Sequence, residues 1–292
     1  MEIINRRKRM MSVARKIRRE DNRTIGFVPT MGALHEGHLS LVREARAMCD
    51  IVVVSIFVNP AQFGPQEDFN KYPRDLTRDS SRLAEYNVDY VFAPGVREIY
   101  PSDFSTYVTV EGLSGELEGK ARPGHFRGVA TAVAILLNIV RPNFAFFGQK
   151  DAQQAALIKR MVSDLAFDTE VVVLPIVREE SGLAMSSRNE YLNEDERRAA
   201  VVLNQALRKA QAAYESGEHD ASRLIEIIRS VLEQEPLARI DYISVNDADS
   251  FERLDAVDDR PALISLAVFI GDTRLIDNVI LRKEQEAAAA NL

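Results

Sequence analysis

Through the first about 180 residues, short β-rich apolar runs alternate with amphipathic stretches, and no other feature restricts the fold as much. The runs that read as strands are Thr24–Val28, Ile51–Val58, Val88–Phe92, Tyr107–Val110, Phe144–Phe147 and Glu170–Val177. Between them, Glu36–Met48, Asp75–Tyr86, Gly128–Val140 and Ala152–Leu165 carry helical spacing. Strands buried on both faces of a parallel sheet read as near-continuous apolar runs, and these do. The βα alternation therefore predicts an α/β fold built on an open, doubly wound parallel sheet. Ligands of such sheets sit beyond the carboxyl ends of the strands. The polar motifs described below all follow apolar runs, so they should converge there.

After about Val177 the pattern changes. Two helical stretches, Glu194–Glu215 and Ala221–Glu233, precede three shorter strand candidates, Ile240–Val245, Ala262–Ile270 and Leu275–Leu281. Asn193 suits the N-cap of the first helix. Helices followed by strands predict a second, smaller α+β domain over 178–283, after the doubly wound domain over 1–177. The Ala-rich tail 284–292 is expected to be disordered and without function.

Composition excludes several classes. No run of about 18 apolar residues exists, so no membrane span is expected. A net charge of −7 argues against a broad nucleic-acid surface. The cluster Arg6-Arg7-Lys8-Arg9, with Lys16, Arg18 and Arg19, reads as the solvated face of a helix. The N-terminus lacks an apolar signal core, and the single cysteine, Cys49, permits no intrachain disulfide. Both point to a cytoplasmic protein, with Cys49 a small buried apolar residue.

Four motifs carry chemistry. In Met31-Gly32-Ala33-Leu34-His35-Glu36-Gly37-His38, a strand, a Gly-bearing turn and a helix start follow in order. Amides at a helix N-terminus attract anions, and adjacent histidines can donate to phosphate oxygens as charge develops. Two histidines without a further obvious ligand make a poor metal site. In Asn59-Pro60-Ala61-Gln62, a Pro-forced turn presents two amides suited to a hydroxy acid, although an ordinary turn explains it as well. In Gly148-Gln149-Lys150-Asp151, a turn after an apolar run opens a helix that goes on to Gln154. Lys150 suits phosphate. Asp151 suits a helix cap, a ribose hydroxyl or Mg²⁺. In Met185-Ser186-Ser187-Arg188, two hydroxyls and a guanidinium form a phosphate-binding set, or a polar linker, at the inferred domain boundary. The basic loop Gly119–Gly128 reads either as a flap whose Arg122 or Arg127 neutralises phosphate or as a plain surface loop. No Gly-x-x-x-x-Gly-Lys-Ser/Thr loop occurs, and no Gly-x-Gly-x-x-Gly follows the first strand.

These motifs in this order, with Tyr72-Pro73-Arg74 and Gly271–Asn278, resemble the pantothenate synthetase (pantoate–β-alanine ligase) family over about residues 2–283. The histidine block is also similar to the HxGH motif of the wider nucleotidyltransferase superfamily, whose members share a Rossmann-like core. The resemblance implies ATP-dependent condensation of pantoate with β-alanine through pantoyl adenylate, with Mg²⁺, releasing pyrophosphate and AMP. It implies that Met31 through His38 form the first ATP-binding turn, with His38 donating a proton or stabilising charge and His35 beside it. Gln62 and Gln154 should hold pantoate, with Asn59 assisting on the pantoate or Mg²⁺ side. Gly148, Gln149, Lys150 and Asp151 should bind ATP, with Lys150 on the phosphates. Val177 should touch adenine through its backbone. Met185, Ser186, Ser187 and Arg188 should close on the phosphates from a C-terminal lid. A homodimer through the N-terminal domain is implied as well. Two departures stand out. Ser181 takes the place of a common Asp before the Ser-Ser-Arg block, and Ala134–Asn138 lacks a common Lys. A nucleotidyltransferase that keeps its nucleotidyl product, or a nucleotide-binding module without turnover, are the competing readings.

Overall fold

The computed structural model describes residues 1–65 and 67–283, so the tail 284–292 lies outside the described residues. The chain divides into two compact units, the first Met1–Val177 and the second beginning at Arg178.

The first unit runs β1 (Glu2–Ile4), α1 (Arg7–Arg19), β2 (Ile25–Thr30), α2 (Glu36–Met48), β3 (Ile51–Ile56), α3 (Leu76–Glu85) and β4 (Tyr90–Phe92). It continues with the short helices α4 (Val96–Ile99) and α5 (Glu118–Ala121), then α6 (His125–Val140), β5 (Phe144–Gly148), α7 (Ala152–Asp164) and β6 (Glu170–Leu174). The six strands form one sheet in the order β1-β4-β3-β2-β5-β6. Every pairing is parallel. This is the doubly wound sheet that the alternation predicts. Successive crossovers carry the chain from β2 through β3 to β4 on one side, and from β5 to β6 on the other. The strand order reverses between β2 and β5, where an open α/β sheet leaves a crevice at its carboxyl end.

The β2–β5 pairing is short and is fixed at its start by Asn143. Its side-chain oxygen accepts the Ile25 amide at 2.9 Å, its own amide donates to the Ile25 carbonyl at 2.9 Å, and its carbonyl accepts from Glu170 at 2.8 Å. On one face of the sheet, Leu39, Val42 and Ala45 of α2 and Leu83 of α3 pack on Val28, Val52, Val54, Val91 and Phe146. Cys49 is buried there, and burial pushes its thiol up to about 11. The long helix α6 is buried almost throughout and packs against α1 and α7.

Two expectations need correction and one gains detail. Tyr107–Val110 is not a strand. Its Val108 amide donates to Thr131 Oγ1 (3.0 Å) instead of to a neighbouring strand, and Tyr107 is exposed under the Arg127 guanidinium. The basic N-terminal cluster lies on α1 as expected, but Met10, Val13, Ala14 and Ile17 bury the opposite face of that helix, and β1 before it joins the sheet edge. Glu194–Glu215 is not one helix, because i→i+3 bonds at Val201 and Leu203 tighten the backbone and split it.

The second unit contains α8 (Glu194–Ala199), α9 (Val202–Glu215), α10 (Ala221–Leu232) and an antiparallel sheet β7 (Ala238–Asp247), β8 (Ala262–Ile270), β9 (Thr273–Leu281). Asn193 caps α8 in a reciprocal box with Glu196. Leu203, Leu207, Leu224 and Ile228 of the two long helices share a core with Ile264, Leu266 and Val268 of β8. Asp277 of β9 is buried, and the Arg178 guanidinium reaches both its oxygens at 2.6 and 3.0 Å. Removing one partner of a buried pair leaves an uncompensated charge. Arg178→Met should therefore cost about 3 kcal/mol of stability, read from urea unfolding by circular dichroism. An unchanged unfolding midpoint would contradict this role.

Candidate functional site

The turn after β2 is held in a conformation that few sequences tolerate. Gly32 and Ala33 have φ of 87° and 51°. Thr30 Oγ1 accepts the Gly32 amide at 3.2 Å. The carboxylate of Asp79, on α3, accepts the amides of Ala33 (3.0 Å) and Leu34 (2.9 Å), and Arg82 donates to the Leu34 carbonyl. The chain then enters α2 with His35 as its N-cap. The His35 amide donates to His38 Nδ1 at 3.4 Å, so His38 fills the place that a Glu or Gln takes in the usual capping box. The expectation that this whole turn offers its amides to an anion is thereby narrowed. The amides of Gly32, Ala33, Leu34 and His35 all have acceptors within the protein. Those of Glu36 and Gly37 belong to the first helical turn, which no helix carbonyl can serve.

The two imidazoles lie with centroids 4.1 Å apart. Burial holds His38 down to about 4, with Lys150 adding to the effect. Burial, then His38 and Lys150, hold His35 down to about 2, and Asp151 opposes them. Both rings are therefore neutral at pH 7. Because His38 Nδ1 accepts, its proton sits on Nε2 and that atom is a donor. His35 Nδ1 is buried without a hydrogen-bond partner among the described residues.

Lys150 follows β5, the strand beside β2, in a 3-10 turn over Gln149–Asp151. This turn runs straight into α7, so Asp151 makes no capping bond. Its carboxylate instead stands 3.5 Å from Lys150 Nζ, half exposed to solvent. Thus the motifs after β2 and β5 meet at the reversal of strand order, where His38, His35 and Lys150 share one field.

Gln62 is held from several sides. Asn59 is buried, and its Nδ2 donates to Gln62 Oε1 (3.0 Å) and to the Gly128 carbonyl (3.1 Å). Its Oδ1 accepts from the Ala61 amide (3.2 Å) and the Tyr100 hydroxyl (2.8 Å). All four hydrogen-bonding positions of Asn59 are used, so it orients Gln62 and has nothing left for a ligand. The donor end of Gln62, Nε2, lies 3.0 Å from the Met31 sulfur, which joins this turn to the histidine turn. His125 Nδ1–H donates to the Gln62 carbonyl at 2.8 Å, while its Nε2 faces Arg122. Arg122 forms a two-pronged pair with Glu67 at 2.7 Å, and Arg127 covers the Tyr107 ring. Both guanidinia of the basic loop are thus already engaged within the protein.

Gln154 is half-buried on α7. Its neighbour Gln153 is buried and binds the Leu113 and Glu116 carbonyls and the Glu118 amide. These bonds fasten the loop around Leu117, whose φ is 45°. Val177 ends the first unit beyond β6. In the second unit, Ser186 Oγ accepts the Arg188 amide at 3.3 Å and opens a 3-10 turn over Ser187–Tyr191. Asn189 braces this turn through Glu179 and the Ala184 carbonyl. Ser181 accepts the Leu183 amide at 3.3 Å, a turn-forming bond that an Asp would make equally well. Asp79, Arg82, His125 and Gln153 escaped sequence reasoning because each acts on backbone far from it in the chain, and Asn189 because it braces a turn through bonds that its own position does not reveal. The helical spacing of Asp79 and Arg82, three apart on a short polar helix, was the available signal for that pair.

Comparison with known proteins gives a consistent result. The model of the pantoate-beta-alanine ligase family matches residues 2–280. The pantothenate synthetase of Pelotomaculum thermopropionicum is 57% identical over 90% of this chain and 93% of its own length. That of Thermosipho africanus is 54% identical over 96% of this chain and 100% of its own. A pantothenate synthetase structure from Thermus thermophilus superposes with a TM-score of 0.90 at 44% identity, covering 96% of this chain and 99% of that one. A Francisella tularensis pantoate-beta-alanine ligase, solved with beta-gamma ATP and beta-alanine, gives 0.79 at 37% identity, covering 96% and 97%.

The neutral histidines carry a pH signature. His35, His38 and His125, the last also held down to about 4 by burial and then by Arg122, protonate near 6.5 only when unfolded. Below pH 6.5 the unfolded chain takes up protons that the folded chain refuses, so stability should fall from pH 6.5 towards 4. In NMR titration, the His35 and His38 ring signals should not move between pH 5.5 and about 8. A midpoint near 6.5 for either ring would overturn the assignment.

Proposed function

We propose a course of reaction from one premise: the chain belongs to the pantoate–β-alanine ligase family. It is an ATP-dependent ligase that condenses pantoate with β-alanine to pantothenate. The observation that best supports a site for this chemistry is the pair of neutral imidazoles beside Lys150 at the β2–β5 switch point.

In the first step, a pantoate carboxylate oxygen attacks the α-phosphorus of ATP and pyrophosphate leaves. Negative charge builds on the phosphoryl oxygens. His38 Nε2–H and the Lys150 ammonium are donors that need little rearrangement to meet it. A neutral His38 stabilises this charge by hydrogen bonding and is not a source of protons. His35 packs against it and keeps its ring in place. Met31 through Gly37 and Gly148 through Asp151 frame the nucleotide, with Val177 at the adenine and Met185, Ser186, Ser187 and Arg188 on the phosphates. Gln62 offers Nε2 to pantoate with its amide already turned by Asn59, and Gln154 is the second pantoate amide. In the second step, the β-alanine amine attacks the acyl carbon of pantoyl adenylate and AMP departs. Correct placement of the two reactants supplies much of the rate.

Mg²⁺ fits this scheme as part of the nucleotide substrate. Among the described residues no group of three or more metal-binding side chains occurs, and Mg²⁺ commonly binds through phosphates, waters and one or two carboxylates. Asp151 is the carboxylate beside Lys150 that could face it. The metal would neutralise phosphate charge. A homodimer and a cytoplasmic location complete the proposal. Among the described residues, no helix is long and apolar enough to cross a membrane.

ATP–pyrophosphate isotope exchange should appear only when pantoate is present, without β-alanine. Exchange that ignores pantoate would refute the acyl-adenylate course. His38→Ala should lower the exchange rate by about 10²-fold; near-normal exchange would remove His38 from the chemistry. Gln62→Ala should raise the KM for pantoate by about tenfold and leave that for ATP nearly unchanged. Equal effects on both substrates would contradict the pantoate assignment.

A further inference from the structure

We propose that Asp79 and Arg82, one turn apart on α3, are positioning residues that lock the ATP-binding turn in its left-handed form. They grip three backbone groups on two consecutive residues of the turn. Asp79 Oδ2 takes the Ala33 amide, Oδ1 takes the Leu34 amide, and Arg82 donates to the Leu34 carbonyl.

The turn needs such a grip. Ala33 has a Cβ and yet holds φ at 51°, a conformation that an alanine adopts only when its surroundings dictate it. Two successive amides converge on one carboxylate here, as in an anion-binding concavity of the main chain, whereas an extended Ala33 would point them apart. Asp79 is 2% exposed, so its carboxylate has little water to fall back on. Burial pushes its pKa up and the two amide bonds pull it down, with a net rise. Two amide donors thus offset part of the cost of burying the charge. Gly32, next to Ala33, shows how close the carboxylate comes: a Cβ there would meet Asp79 Oδ2 at 3.0 Å. His35 lies immediately beyond Leu34, so the direction of both rings and of the Glu36 and Gly37 amides follows from this turn. Neither Asp79 nor Arg82 needs to touch a substrate for this role.

The inference rests on the turn being the ATP site, and its test separates the two ideas. Hydrogen exchange at the Ala33 and Leu34 amides, followed by mass spectrometry or NMR without ligand, reads the grip alone. Asp79→Asn keeps the shape but retains one acceptor. It should speed exchange at these amides by about tenfold or more. In steady-state assays it should raise the KM for ATP about tenfold, with the KM for pantoate changed less than about twofold. Adding Ala33→Gly should recover most of the loss, because glycine holds positive φ without help. Arg82→Met should shift the ATP KM in the same direction, and it serves as the test should Asp79→Asn fail to fold. Unchanged amide exchange, equal losses for both substrates, or no recovery with glycine would each overturn the proposal. Fast exchange without an ATP effect would keep the grip but refute the turn as the nucleotide site.

Discussion

The side-by-side pairing of β2 and β5 is the constraint on which the first unit's chemistry depends. These strands carry the chain in the same direction, and the connections that follow them diverge. Each strand therefore delivers a polar turn to the same end of the sheet without the turns competing for space. The pairing covers only two residue pairs and owes its register to Asn143, which bonds across to Ile25 through both side chain and backbone. A slip of one residue would turn every side chain of β2 to the other face. It would also carry the histidine turn out of line with Lys150.

At that junction the electrostatics are simple. The cation Lys150 sits beside two imidazoles that burial keeps neutral, with Arg82 also pressing on His35 and Asp151 opposing. Had the imidazoles been charged, three positive groups would crowd together before any substrate arrived. Neutral rings let the site accept a polyanion and still offer a directed N–H where charge peaks. The bond from the His35 amide selects the tautomer that makes this possible.

Much of this was legible in the sequence, for identifiable reasons. Apolar runs such as Ile51–Val54, alternating with amphipathic helical stretches, suit strands buried on both faces of a parallel sheet, so the fold class followed from the alternation. Turns such as Met31–His38 and Gly148–Asp151 announce themselves because glycine, histidine and lysine are costly choices there unless they serve a ligand. Illegible were the residues that act through other residues. Asp79 looks like one more polar residue on an exposed helix, and Gln153 like a neighbour of Gln154. Their value lies in backbone groups 46 and 37 positions away. Asn59 was legible as important but not in its manner, because only the structure reveals that all its bonds stay within the protein. Tyr107–Val110 misled through β-rich composition, with no strand beside it to pair with.

Gly128 carries a consequence for anyone who would remodel the end of this site proposed for pantoate. A Cβ at this position would fall 2.1 Å from the Ala61 carbonyl oxygen and 2.7 Å from the Gln62 amide nitrogen. The turn that presents Gln62 is thus seated directly on the main chain of a buried helix, with Asn59 fastening the seam. Such a seat does not yield by degrees. Lengthening the turn or padding the helix would lift Gln62 away as a block, so a pocket for a different acid must be carved from side chains alone, on a floor that stays where α6 puts it.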